Sequence, residues 1–142
     1  MGTVHAEITL KNTVDAANAR AGNIKEQDIR SVTVTALVDT GAMYLGITEE
    51  LYQKLGLSKM GERVFRTASG QRLACKVTEP VDIHWKDRSS SQRAVVIPGA
   101  ETVLLGAIPL EDMDLMVNPV AQELVGIHGD VVEGMLLTPF LV

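Results

Sequence analysis

Asp39 ends a strongly apolar run, Ala36-Leu37-Val38, and is followed by Thr40, Gly41 and Ala42. An ionised carboxylate beside a core strand is costly unless it is paired or hydrogen-bonded. Thr40 brings a hydroxyl, and Gly41 permits a tight turn and lets another backbone come close. In isolation the triplet reads first as a plain strand-to-loop turn, since Asp, Thr and Gly are all common there. The other reactive residue types form no pattern. His5, His84 and His128 are scattered without zinc-ligand spacing. Asp112 and Asp114 follow a helix start, where capping charge accounts for them better than a metal does. Cys75 has no base near it in sequence and is expected to be a small buried residue. Gly41 and Gly46 lack the Gly-Lys-Ser/Thr ending of a phosphate loop. No metal and no cofactor is expected.

The elements around Asp39 are mostly short strands. From Thr3 to Leu10 the chain alternates, with Val4, Ala6, Ile8 and Leu10 on one face and His5, Glu7 and Thr9 on the other. Lys11 to Asp28 is polar and rich in Asn, Ala and Gly, and is expected to be a long loop insertion. Ser31 to Val38 is β-rich. A helix is expected after Thr48, a plausible N-cap, with Glu49 and Glu50 in its first turn, Leu51 and Leu55 on one face and Gly56 as its stop. Val64–Thr67 and Arg72–Val77 flank Ala68-Ser69-Gly70-Gln71, a hairpin turn. Val81–Trp85 and Arg93–Ile97 read as further strands joined by the polar segment 86–91, and Glu101–Leu105 as a short one. A short helix is expected from Pro109, then a hairpin around Asn118-Pro119. Two stretches echo each other: both the Ala36–Ala42 and the Val103–Ala107 runs are apolar strands ending in Gly-Ala.

The 142 residues make one domain, 46% hydrophobic but only 4% aromatic, so the core must be aliphatic. The net charge of −5 and the absence of a basic stripe argue against a nucleic-acid partner. A single cysteine excludes an intrachain disulfide. The N-terminus lacks the basic start and apolar run of a signal peptide, and no stretch is apolar enough to span a membrane, so a cytoplasmic location is expected. The tail 126–142 ends in the apolar stretch Met135 to Val142, which is expected to pack on its own domain or on a partner.

Taken together, Ala-Leu-Val-Asp-Thr-Gly-Ala, a small Gly-containing hairpin at Thr67–Gln71, and Leu104-Leu105-Gly106 before a short helix resemble the hallmarks of retropepsin-like aspartic proteases, in the same order. The likeness runs from about Thr3 to Val125 and is nearest to bacterial and cyanobacterial single-domain members. It implies a mostly β, closed barrel of the acid-protease type with one or two short helices, acting as a homodimer on a peptide or protein substrate.

Chemistry of that type needs two carboxylates sharing one proton. One is a general base towards water, and the other polarises the scissile carbonyl. The chain holds one Asp-Thr-Gly, so the second carboxylate has to come from Asp39 of another subunit across a two-fold axis. The resemblance further implies that Thr40 braces the two loops across the axis and that Gly41 offers backbone to substrate. Ala42 and Met43 would line the cleft, with Ala68, Ser69 and Gly70 as the tip of a flap closing over an extended peptide. Leu104, Leu105 and Gly106 would support the catalytic loop from behind, and the tail would form an inter-subunit sheet. Two departures stand out. Met43-Tyr44-Leu45 replace the polar residues that hold substrate backbone in retroviral enzymes, and the 11–28 insertion is long. The alternative to an active peptidase is a catalytically silent module of the same fold, used for dimerisation or peptide binding.

Overall fold

The computed structural model describes residues 3–134. Strand β1 (Val4–Asn12) alternates as its sequence requires, burying Val4, Ala6, Ile8 and Leu10 and exposing His5 and Glu7. It pairs antiparallel with β2 (Ser31–Val38), from Val4 opposite Val38 to Lys11 opposite Ser31. Seven strands form the main sheet. The remaining five are β3 (Leu45–Ile47), β4 (Lys59–Arg66), β5 (Arg72–Trp85), β6 (Arg88–Val96) and β7 (Val103–Leu105). Their order is β1-β2-β7-β3-β6-β5-β4, and a further pairing of β1 with β5 closes six of them into a barrel, leaving β4 outside the ring. Ile8, Leu10, Leu45, Ile47, Leu55, Ile83, Leu105 and Met113 fill its interior. This is the aliphatic core that the scarcity of aromatics demands, each side chain contributing about 1.5–3 kcal/mol by burial.

The two echoing stretches lie side by side. β2 and β7 are parallel, pairing Ala36 with Val103, Leu37 with Leu104 and Val38 with Leu105. Both therefore end at the same level, beside Asp39 on one strand and Gly106 on the other.

Helix α2 (Glu49–Lys54) begins as its sequence predicts, with Thr48 Oγ1 accepting from Leu51 N at 3.1 Å, and Leu51 and Leu55 are buried. Gly56 follows its end at φ +60°, where a side chain would be strained. The 11–28 segment is not a long loop. Thr13–Arg20 is a helix, α1, followed by a 3₁₀ turn at Glu26–Asp28. Asn12 explains it: its side chain caps α1 by accepting from Asp15 N at 3.0 Å and donates to Leu55 O at 2.8 Å. Asp15 in turn holds the Arg30 guanidinium in a two-pronged ion pair.

Three boundaries also move. The connection expected over 86–91 is shorter: Lys86-Asp87 alone makes the turn between β5 and β6, and Ser89–Ser91 belong to β6. Val81–Trp85 is the second half of the 14-residue β5, which carries a bulge between Val77 and Pro80. There the buried Thr78 hydroxyl accepts from Ala94 N at 3.1 Å, replacing a ladder bond. The third helix, α3 (Ala107–Asp112), starts before Pro109, with Gly106 at its N-cap.

A two-stranded hairpin, β8 (Leu115–Asn118) and β9 (Glu123–Gly126), completes the described chain. Asp114 is no helix-start cap. It sits beyond α3 at φ +55°, buried, and its carboxylate accepts from His128 Nδ1 at 2.8 Å and Glu133 N at 3.1 Å. The buried Arg88 guanidinium donates to the carbonyls of Met113, Asp114 and Gly129, binding the same corner. The hydrogen bond to Asp114 raises the His128 pKa above the ordinary value of 6.5, and the one from His128 lowers that of Asp114 below 3.8. The histidine contribution to stability is therefore full below about pH 6.5 and is lost as pH rises through the raised value. The aspartate contribution is present above about pH 4 and is lost as pH falls through the lowered value. Thermal melts from pH 5.5 to 8.5 should show Tm falling in the wild type and a flatter profile in His128→Gln. Parallel profiles would show that the clasp does not set the slope. Among the described residues no helix is long and apolar enough to cross a membrane. The apolar end, 135–142, with its expected inter-subunit sheet, lies outside the described residues.

Candidate active site

Asp39 is fixed by backbone before its side chain is considered. Its N–H donates to Leu105 O at 3.0 Å, which ties the loop to the end of β7. Its carbonyl accepts from Ala42 N at 3.1 Å, and its Oδ1 accepts from Gly41 N at 3.0 Å. A Cβ at position 41 would lie only 3.2 Å from that Oδ1, so Gly41 keeps the tight turn unstrained. Asp39 itself is half-buried, with a carboxylate that still reaches solvent.

Gly106 supports the loop from behind. Ala107 N donates to Ala42 O at 2.8 Å and Ile108 N to Met43 O at 2.9 Å. A Cβ on Gly106 would sit 2.8 Å from Ala42 O and 2.7 Å from Met43 C, and closer still to Tyr44 O. These are backbone atoms that cannot swing aside. Leu105 is fully buried beside it, while Leu104 reaches the cleft wall.

In front of the loop lies a cleft of ≈ 450 Å³. Asp39, Gly41 and Ala42 form its floor, and Met43 and Tyr44 form one side. Phe65, Thr67, Ala68 and Leu73 come from the β4–β5 hairpin, and Cys75, Val95, Ile97 and Leu104 from the barrel. Asp39 is the only carboxylate among these residues. Cys75 is 2% exposed, and burial pushes its thiol pKa up, so it acts as wall and not as nucleophile.

The hairpin tip is built as its sequence predicts. Thr67 N donates to Gln71 O at 2.8 Å, Gly70 N donates to Thr67 O at 2.9 Å, and Gly70 takes φ +86°. Ser69 and Gly70 are exposed at the tip and, unlike Ala68, do not line the cleft in the single chain. Thr40 is exposed and faces away from the cleft, into a second concavity of ≈ 470 Å³ that it shares with Thr3, Leu37, Val38 and Asp39. Asp39 thus stands between two hollows, one bordered by the β4–β5 hairpin and one by the β8–β9 hairpin.

Sequence reasoning passed over most of the walls. Phe65, Leu73 and the pair Val95 and Ile97 lie on three different segments, and only the alternation of Phe65 and Leu73 in the hairpin arms hints at a shared face. Tyr44 is more than a departure from the retroviral pattern. Its hydroxyl accepts from Arg63 Nη1 at 3.0 Å, and its ring meets Phe65 edge-on at 5.8 Å, so it joins the Asp39 loop to β4.

Residues 21–136 match the family model described as Aspartyl protease, and the chain belongs to that family. The fold is that of the retroviral proteases. It is similar to EIAV protease, solved in complex with the inhibitor HBY-793, with a TM-score of 0.50 and 22% identity over 71% of this chain and 83% of that one. No curated protein matches the sequence.

Proposed function

We propose that the protein is an aspartic endopeptidase whose site is completed by a second copy of the chain. The observation that supports this most is the position of Asp39, the one carboxylate of an apolar cleft and also a lining residue of the hollow on its other side. A two-fold axis through that hollow would place the two Asp39 side chains together, with Thr40 of each loop at the junction. One proton is then shared between them. The ionised carboxylate takes a proton from water as the water attacks the scissile carbonyl carbon, and the protonated one donates to the carbonyl oxygen. The tetrahedral intermediate collapses when the amide nitrogen is protonated and the C–N bond breaks. Ala42, Met43 and Ala68 would contact the extended peptide, and Ser69 and Gly70 would close over it from the hairpin tip.

The test is cleavage of a peptide library at mildly acid pH across a dilution series. Specific activity should fall as the subunits separate. Activity independent of concentration down to the monomer range would contradict the shared site. Absence of any cleavage, with peptide binding retained, would favour a catalytically silent binding module.

A further inference from the structure

A third concavity, of ≈ 430 Å³, continues the cleft past Tyr44 and Val95, which line both. Its distinctive residues are Arg63 on β4 and Arg93 on β6. The strand registers set the two arginines on either side of the Val77 level of β5, so that they flank the hollow from its two ends. Arg63 lies opposite Cys75 on β5, Val77 pairs with Val95, and Pro80 pairs with Arg93 across the bulge. Gly61, opposite Val77, leaves the space between them open. No carboxylate lines this hollow, and neither arginine forms an ion pair among the described residues. The one hydrogen bond that engages Arg63 goes to the neutral Tyr44 hydroxyl.

Two unpaired guanidinium groups on one concave wall match a carboxylate, which arginine binds in two-pronged fashion. We infer that this hollow is a subsite of the cleft that takes a carboxylate of the peptide substrate, and the inference rests on the peptidase reading above. Extended chain rises about 3.3 Å per residue and shows alternate side chains to one face, so the group would sit about two to four residues from the scissile bond. A dimer would repeat the subsite on both sides of that bond. An acidic side chain and a free C-terminal carboxylate present the same chemistry.

Three sets of synthetic peptides separate the possibilities. They share an apolar scissile pair and carry Glu, Gln or Lys two to four residues away, each with an amidated or a free C-terminus. At pH 6, where Glu is ionised, kcat/KM should favour Glu over Gln by about tenfold. A preference that follows the free C-terminus instead would assign the carboxylate to the chain end. Arg63→Gln should shrink the ratio, and Arg93→Glu should turn the preference towards Lys, a reversal that misfolding cannot produce. A wild-type Glu-to-Gln ratio near one for both kinds of terminus, or a ratio that survives both substitutions, would overturn the subsite while leaving the peptidase reading intact. Should no peptide be cleaved, the peptidase reading fails, and calorimetric binding of the same Glu and Gln peptides decides the subsite: tighter Glu binding supports it and equal binding overturns it.

Discussion

Asp39→Asn should lower kcat by about 10⁴-fold, because in a site shared as proposed one substitution removes both carboxylates, and general acid–base catalysis supplies up to about that factor. Folding should be almost untouched. Among the described residues the one hydrogen bond to the Asp39 side chain comes from Gly41 N to Oδ1 at 3.0 Å, and the Asn side-chain oxygen can accept the same bond. Asn also fits the same space and carries no charge to be relieved. The check is paired: cleavage kinetics beside thermal melts. Loss of activity with an unchanged Tm supports Asp39 as the reacting group. Full activity in Asp39→Asn would remove the aspartic mechanism altogether.

Gly106→Ala should destabilise the fold strongly for a single added methyl group. The new Cβ would meet the backbone of Ala42, Met43 and Tyr44 closer than real Cβ atoms approach, and none of those atoms can rotate away. Overpacking of this kind costs about 1–3 kcal/mol. Relieving it by separating the strands would weaken the bonds from Ala107 N to Ala42 O and Ile108 N to Met43 O, each worth about 1 kcal/mol. A total near 3 kcal/mol lowers Tm by about 10 °C in a domain of this size. Because those bonds hold the residues just after Asp39, activity should fall even at temperatures where the variant stays folded. Gly61→Ala is the control, since nothing lies within 4 Å of its added Cβ and its φ is not left-handed. That change should stay within about 0.5 kcal/mol. Equal melts for the two variants would mean that the loop yields and that Gly106 is not its rigid support.

The parts of the fold legible in the sequence are those set by near neighbours. β1 shows itself by alternation, α2 by Thr48 and its two leucines, and the β4–β5 hairpin by its turn residues. That Asp39-Thr40-Gly41 and Leu104-Leu105-Gly106 belong together was legible, and their spatial meaning is direct: one stretch hydrogen-bonds the other at Asp39 N and Leu105 O. Helix α1 was not legible, because Ala16, Ala17 and Ala19 draw no apolar stripe and the helix buries only Asp15 and Ala16. Its stability comes from Asn12, Leu55 and Arg30, which lie outside it. The same reason hid the clasp at Asp114. Arg88, His128 and Glu133 meet there from 14 to 26 residues away, with no spacing to announce them. Tyr44 and Arg63 are joined only because β4 folds back over the Asp39 loop.

The central claim is that two chains share one site, and subunit mixing tests it most directly. Wild-type and Asp39→Asn chains are unfolded, mixed in varying ratio at constant total concentration, refolded and assayed. With one Asp39 from each subunit needed, activity follows the square of the wild-type fraction, so an equal mixture keeps about one quarter of full activity. A linear fall, with about one half retained in the equal mixture, would mean that each chain works alone and would contradict the account.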